Sequence, residues 1–102
     1  MAVWFVSRHS GAIDWMAAQA DWQVDHWVAH LHVDEVQAGD VVLGTLPLGM
    51  AADVCAKGAR FWFLEVPMQA TQRGQELSAA LMTDMGCRLT EFVVQRRPVT
   101  WE

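Results

Sequence analysis

A chain of 102 residues has room for one domain with a modest core. A net charge of −5 argues against a long nucleic acid or an anionic membrane as an electrostatic partner. No run approaches the ~20 apolar residues of a membrane-spanning helix, and the opening lacks the basic flank and long apolar stretch of a signal peptide.

No linker, repeat or low-complexity stretch divides the sequence, so residues 1–102 read as a single domain. Ala2-Val3-Trp4-Phe5-Val6 is a continuous apolar run, the pattern of a central parallel strand. It stops at Ser7-Arg8-His9-Ser10-Gly11, a polar turn. Ile13, Met16, Ala17 and Ala20 then recur at helical spacing, predicting a helix over residues 11–20. A second strand is expected over residues 24–31. Gly39-Asp40 turns into a third strand, Val41-Val42-Leu43, which ends in Gly44-Thr45-Leu46-Pro47. Pro47 suits the first turn of a second helix, with an apolar stripe of Leu48, Ala51, Ala52 and Cys55 and a close at Lys57-Gly58. Residues 59–66 give a fourth strand. A third helix follows, beginning after Thr71 or Ser78 as N-cap and stopped by Gly86. The last strand is expected over residues 88–95.

The order β-α-β-β-α-β-α-β predicts an α/β fold: a Rossmann-like, open, mostly parallel sheet of about five strands with helices on both faces. Ligands of such sheets bind outside the carboxyl ends of the strands, where strand order reverses. Apolar residues make up 53% of the chain and include six tryptophans and six methionines. That excess is read as apolar surface shared between two copies, and a homodimer is expected. Cys55 and Cys87 have no metal-ligand spacing and read as small core hydrophobes of a reducing, cytoplasmic compartment.

The strand ends collect Ser7, Arg8, His9 and Ser10 after the first strand, His30 and His32 after the second, and Gly44 and Thr45 after the third. Hydroxyls, a glycine and two helix N-termini form an oxyanion cradle. Residues 1–56 hold seven acids and one base, Arg8, against six bases and five acids in residues 57–102. Arg8 can grip a phosphate with two parallel hydrogen bonds, and His9 can move a proton near neutral pH. The same segments also read as helix caps, which would account for the serines, the threonine and the glycines but not for Arg8 beside His9. His30-Leu31-His32 followed by Asp34 invites a metal reading if all lie on one strand face, but nothing completes a site, and no metal or cofactor is expected. Arg73 can reach the phosphate region from the loop before the third helix. The glycine fingerprint of dinucleotide folds, the Walker loop and the serine-esterase elbow are all missing from the sequence.

Val6-Ser7-Arg8-His9-Ser10-Gly11-Ala12, Gly39-Asp40 through Leu46-Pro47, and Arg73-Gly74-x-Glu76-Leu77-Ser78 resemble a family of small CRISPR-associated proteins that accompany type III CRISPR systems. The resemblance covers nearly the whole chain and departs at His32, where the family often carries an acid. It implies a ring nuclease that binds cyclic oligoadenylate second messengers, tetra-adenylate above all, and linearises them to switch the defence off. The implied chemistry is metal-independent attack of a ribose 2′-hydroxyl on the neighbouring phosphate, leaving 2′,3′-cyclic phosphate ends. In that scheme Arg8 and His9 are catalytic, and Ser7, Ser10, Gly11, His30, Gly44, Thr45 and Arg73 bind the ligand. A sensor or sponge that holds the ring without cutting it is the alternative.

Overall fold

A computed structural model describes residues 1–68 and 74–98. Five strands, β1 (Val3–Val6), β2 (His26–Val28), β3 (Val41–Gly44), β4 (Arg60–Glu65) and β5 (Arg88–Phe92), form one sheet in the order β2-β1-β3-β4-β5. The first four of that order are parallel, and β5 runs antiparallel along β4. Three helices, α1 (Ser10–Ala17), α2 (Leu48–Ala56) and α3 (Ala79–Met85), complete the expected Rossmann-like α/β architecture.

Strand alternation sends side chains to two separate cores. Val3, Phe5, Val41, Leu43 and Leu64 pack beneath α1 and α3, against Trp15, Met16 and Met82. Trp4, Val6, Val42 and Phe61 pack beneath α2, against Ala51, Val54, Leu31 and Val36. With both faces covered, β1 and β3 are buried at every residue, which is why they read as unbroken apolar runs. Four of the six tryptophans are taken up internally: Trp4 and Trp15 are buried, while Trp22 and Trp62 are half-buried in an edge-to-face pair. Trp27 is exposed on β2, and Trp101 lies outside the described residues. Among the described residues no helix is long and apolar enough to cross a membrane.

Several boundaries shift from the sequence expectation, each for a local reason. The second strand is only three residues long, because Leu31 turns into the α2-side core with Val36 instead of continuing along β1. Helix α1 ends at Ala17, where the Gln19 side chain donates to the Trp15 carbonyl. Strand β5 ends at Phe92, its last partner on β4 being Phe61. Pro47 is the residue before α2 rather than in its first turn. Ser78 is the N-cap of α3, its hydroxyl accepting from the Leu81 amide at 3.1 Å, and Gly86 closes that helix in a left-handed conformation.

Candidate functional site

The chain runs from β1 out to β2 on one side and then returns to β3 on the other, so strand order reverses between β1 and β3. Val6 and Gly44 are the last paired residues there. Gly44 has φ +126, and a side chain at this position would collide with the Val6 carbonyl. Only glycine lets the two strand ends lie this close and brings the Thr45 amide to 3.5 Å from the Val6 oxygen. Ser7, Arg8 and His9 leave β1 on one side of this crevice, and Thr45 leaves β3 on the other.

Among the described residues, neither helix that starts at this edge has a side-chain cap. His9 precedes α1 and Pro47 precedes α2, and no side chain accepts from the first turn of either. The capping account of these segments is therefore corrected. The Ser7 hydroxyl instead accepts from the His9 amide at 3.1 Å and bends the turn, while Ser10 and Thr45 hydroxyls have no partner among the described residues. Both helices begin beside the crevice, at Ser10 and Leu48, and so bring their positive ends near it.

Arg8 is exposed. Four other basic side chains are engaged: Arg60 with Glu91, Arg88 with Glu65, Arg96 with Asp53, and Lys57 with the Val33 carbonyl, while exposed Arg97 lies after β5, away from the crevice. Arg8 has no such acceptor among the described residues, which leaves its guanidinium fork available to an anion. His9 is 71% exposed and its Nδ1 lies 3.8 Å from an oxygen of Glu76, itself 75% exposed. That distance is too long for a hydrogen bond, and the contact is an ion pair only when the imidazole is protonated.

Two cavities flank the crevice and share the wall formed by Ser7, His9 and Thr45. One, of about 310 Å³, holds Arg8 and His30 beside Leu46, Pro47 and Met50. The other, of about 350 Å³, opens under α1 and α3 and carries Gln75 and Glu76 at its edge. The structure brings together Ser7, Arg8, His9, His30 and Thr45. Gly11 is buried, and a side chain on it would collide with the Leu77 carbonyl, so its small size seats α1 against the segment before α3. Arg73 lies outside the described residues. Glu76, named in the sequence only within the family resemblance, is exposed and comes beside His9 because Leu77 packs against Gly11 at the start of α1.

His30 falls in a bend after β2, and His32 precedes a short turn of 3-10 helix, Val33–Glu35. The strand alternation needed to put both on one face with Asp34 is not there. Among the described residues, no three His, Cys, Asp or Glu side chains gather as a metal site. Cys55 and Cys87 are free thiols, partly buried as expected of small hydrophobes, and burial pushes the Cys87 thiol up from its ordinary value.

No curated protein and no solved structure gave a match to the chain. Residues 4–95 match the sequence model of a family described as "Putative CRISPR-associated protein (Cas_VVA1548)". That span takes in both strands of the crevice, the turn with Arg8 and His9, and the segment with Glu76, so the chain belongs to the Cas_VVA1548 family of CRISPR-associated proteins.

Proposed function

We propose that this protein is a ring nuclease, binding cyclic oligoadenylate and linearising it to end type III CRISPR signalling. The observation that carries the reading is the strand-order reversal lined by Ser7, Arg8, His9, His30 and Thr45, between the starts of two helices. Such a surface suits a phosphodiester and offers little to a neutral ligand.

The chemistry follows from those groups. The 2′-oxygen of one ribose attacks the adjacent phosphorus, and the bond from that phosphorus to the next nucleotide's 5′-oxygen breaks. The 2′-hydroxyl gives up a proton, the departing 5′-oxygen gains one, and the products are a 2′,3′-cyclic phosphate and a 5′-hydroxyl. Holding the three atoms in line is the main task, and the hydroxyls of Ser7, Ser10 and Thr45 with the helix-start amides perform it. Arg8 stabilises charge gathering on the phosphoryl oxygens. His9 serves as general base or acid. No cofactor enters the scheme. His30 shares the cavity with Arg8 and meets the phosphate or ribose on the β2 side.

A homodimer is part of the proposal, since a tetra-adenylate ring has internal symmetry that matches a two-fold axis. Leu48 and Val93, 75% and 78% exposed, are available for such a contact. Light scattering is expected to give twice the 11.4 kDa chain mass; a monomer with and without ring removes the dimer.

A non-cutting sensor is the second reading, favoured by one observation: His9 is exposed and, among the described residues, no hydrogen bond fixes its imidazole. Single-turnover incubation with cyclic tetra-adenylate in EDTA, followed by chromatography, separates the readings. Linear adenylates with cyclic phosphate ends are expected. Intact ring bound to protein establishes the sensor, and cutting that returns only with added metal establishes a metal hydrolase.

A further inference from the structure

The two cavities beside the crevice differ in chemistry although they are alike in size. Among the described residues the cavity with Arg8 and His30 carries no acid. The other is floored by Ala12, Leu64, Val66, Met68, Leu77 and Met82, carries no Lys or Arg among the described residues, and has the Glu76 carboxylate at its edge. A phosphate placed in this second cavity would lose water against apolar walls with no cation among the described residues to replace it, and would approach the like charge of exposed Glu76. A flat, neutral heterocycle with an exocyclic amine meets the reverse: apolar side chains against its faces and an acceptor for its N–H. At about 350 Å³ the cavity is near the lower end of the ~300–1,000 Å³ range of small-ligand sites. Its two methionines let the floor adapt to a ring.

From this asymmetry we infer that the cavity under α1 and α3 is a nucleobase compartment: it takes one adenine of the ring, with Glu76 accepting from the adenine amine, while the phosphodiester crosses the shared wall of Ser7, His9 and Thr45 into the Arg8 cavity. The inference rests on the ring-nuclease reading and adds to it which cavity holds the base and which the anion. The base is then an anchor for the phosphate, fixing where the bond to be cut lies on the wall. Its specificity residue is Glu76, and its shape is set by Val66, Leu77 and Met82.

The methionines report the two cavities separately. Met68 and Met82 line the base compartment and Met50 lines the Arg8 cavity. In protein carrying 13C-labelled methionine methyl groups, adenosine is expected to shift Met68 and Met82 and leave Met50 in place. Inorganic phosphate is expected to do the opposite, and cyclic tetra-adenylate to shift all three. Val66→Phe fills the compartment and is expected to weaken ring affinity at least ten-fold; unmoved Met16 and Met50 signals report an intact fold. If that variant does not fold, the wild-type methyl shifts decide. A ring that binds wild-type protein while shifting Met50 alone, or that binds folded Val66→Phe as tightly, overturns the base compartment and leaves the ring-nuclease reading standing. Wild-type protein that leaves the ring unbound overturns both.

Discussion

The two ends of the sheet are equally rich in polar residues, yet they treat them differently. At the amino end, Asp40 is buried and accepts from the Ala2 amide, the Trp4 indole at 3.2 Å and the Gln37 amide at 2.9 Å. Nearby, Asp25 accepts from the Val3 amide at 2.8 Å. These carboxylates occupy donors that β1 and the turn before β3 would otherwise bury without partners. At the carboxyl end, Arg8, Ser10 and Thr45 have no side-chain partner among the described residues, and His9 has only the distant Glu76. A polar group whose hydrogen bonds are filled by its own chain serves the fold. One left exposed beside uncapped helix starts is available to a ligand.

The comparison is tested hardest at His9. If its imidazole moves a proton, His9→Ala slows single-turnover cleavage by about 10²–10⁴-fold while ring affinity stays nearly unchanged. Cleavage at the wild-type rate would leave the reaction to positioning by Arg8 and the hydroxyls. Arg8→Ala comes next. Removing a charged hydrogen-bonding partner of the phosphate costs about 1.5–3 kcal/mol, or roughly ten- to hundred-fold, in binding and rate together. Arg8→Lys is expected to restore only part, because a point charge lacks the guanidinium fork. Equal behaviour of the lysine variant and wild type in affinity measurements would reduce Arg8 to a diffuse charge.

At the opposite end the same logic predicts lost stability with unchanged chemistry. Asp40→Asn turns an NH2 group toward at least one of three buried donors, at a cost of about 1–3 kcal/mol measured by denaturation at pH 7. The cleavage rate of folded variant should match wild type; a slowed rate would extend the site across the whole sheet. Burial pushes the Asp40 carboxyl up, but hydrogen bonds from Ala2, Gln37 and Trp4 outweigh it and hold it below its usual value. A carboxyl lowered on folding stabilises the protein above its unfolded value of about 4, and that share is lost as pH falls through the still lower folded value. Wild-type protein should therefore lose this component in acid, and the asparagine variant should have none to lose.

What was legible in the sequence follows the same division. The runs at β1 and β3 announced themselves because both faces of those strands are covered, and the turns after them carried Ser7, Arg8, His9 and Thr45 in plain order. The order of strands and helices pointed to a site where strand order reverses, but its place between β1 and β3 comes from the structure. Less legible were features set by contacts distant in sequence. Strand β2 stops early because Leu31 is drawn into the α2-side core with Val36, which periodicity along one strand does not foresee. Gly11 looked like a ligand contact in a flexible turn, whereas its missing side chain makes room for the Leu77 carbonyl, 66 positions further along. Glu76 escaped notice as a site residue because a charged residue between Gly74-Gln75 and Leu77 has the pattern of solvated surface. Only the packing of Leu77 against Gly11 at the start of α1 sets it beside His9.

Glu76 also supplies the mildest expected effect. Its oxygen is 3.8 Å from His9 Nδ1, with both side chains more than two-thirds exposed. Exposed pairs of this kind contribute about 0–1 kcal/mol. Through His9 alone, then, Glu76→Gln should slow cleavage by no more than about five-fold. The glutamine keeps an acceptor for the adenine amine, so ring affinity should also fall only slightly, whereas Glu76→Ala should weaken affinity more than rate. The split is read from affinity and single-turnover rate measured side by side, with salt as a further control. Whatever passes through the His9 pair should shrink as ionic strength rises, because exposed charges are screened. A hundred-fold loss of rate in Glu76→Gln, unaffected by salt, would give Glu76 a different place, in contact with the reacting atoms as the base that takes the 2′-hydroxyl proton. His9 would then be left to protonate the departing 5′-oxygen, and the two ends of the reaction would be divided between the turn after β1 and the segment before α3.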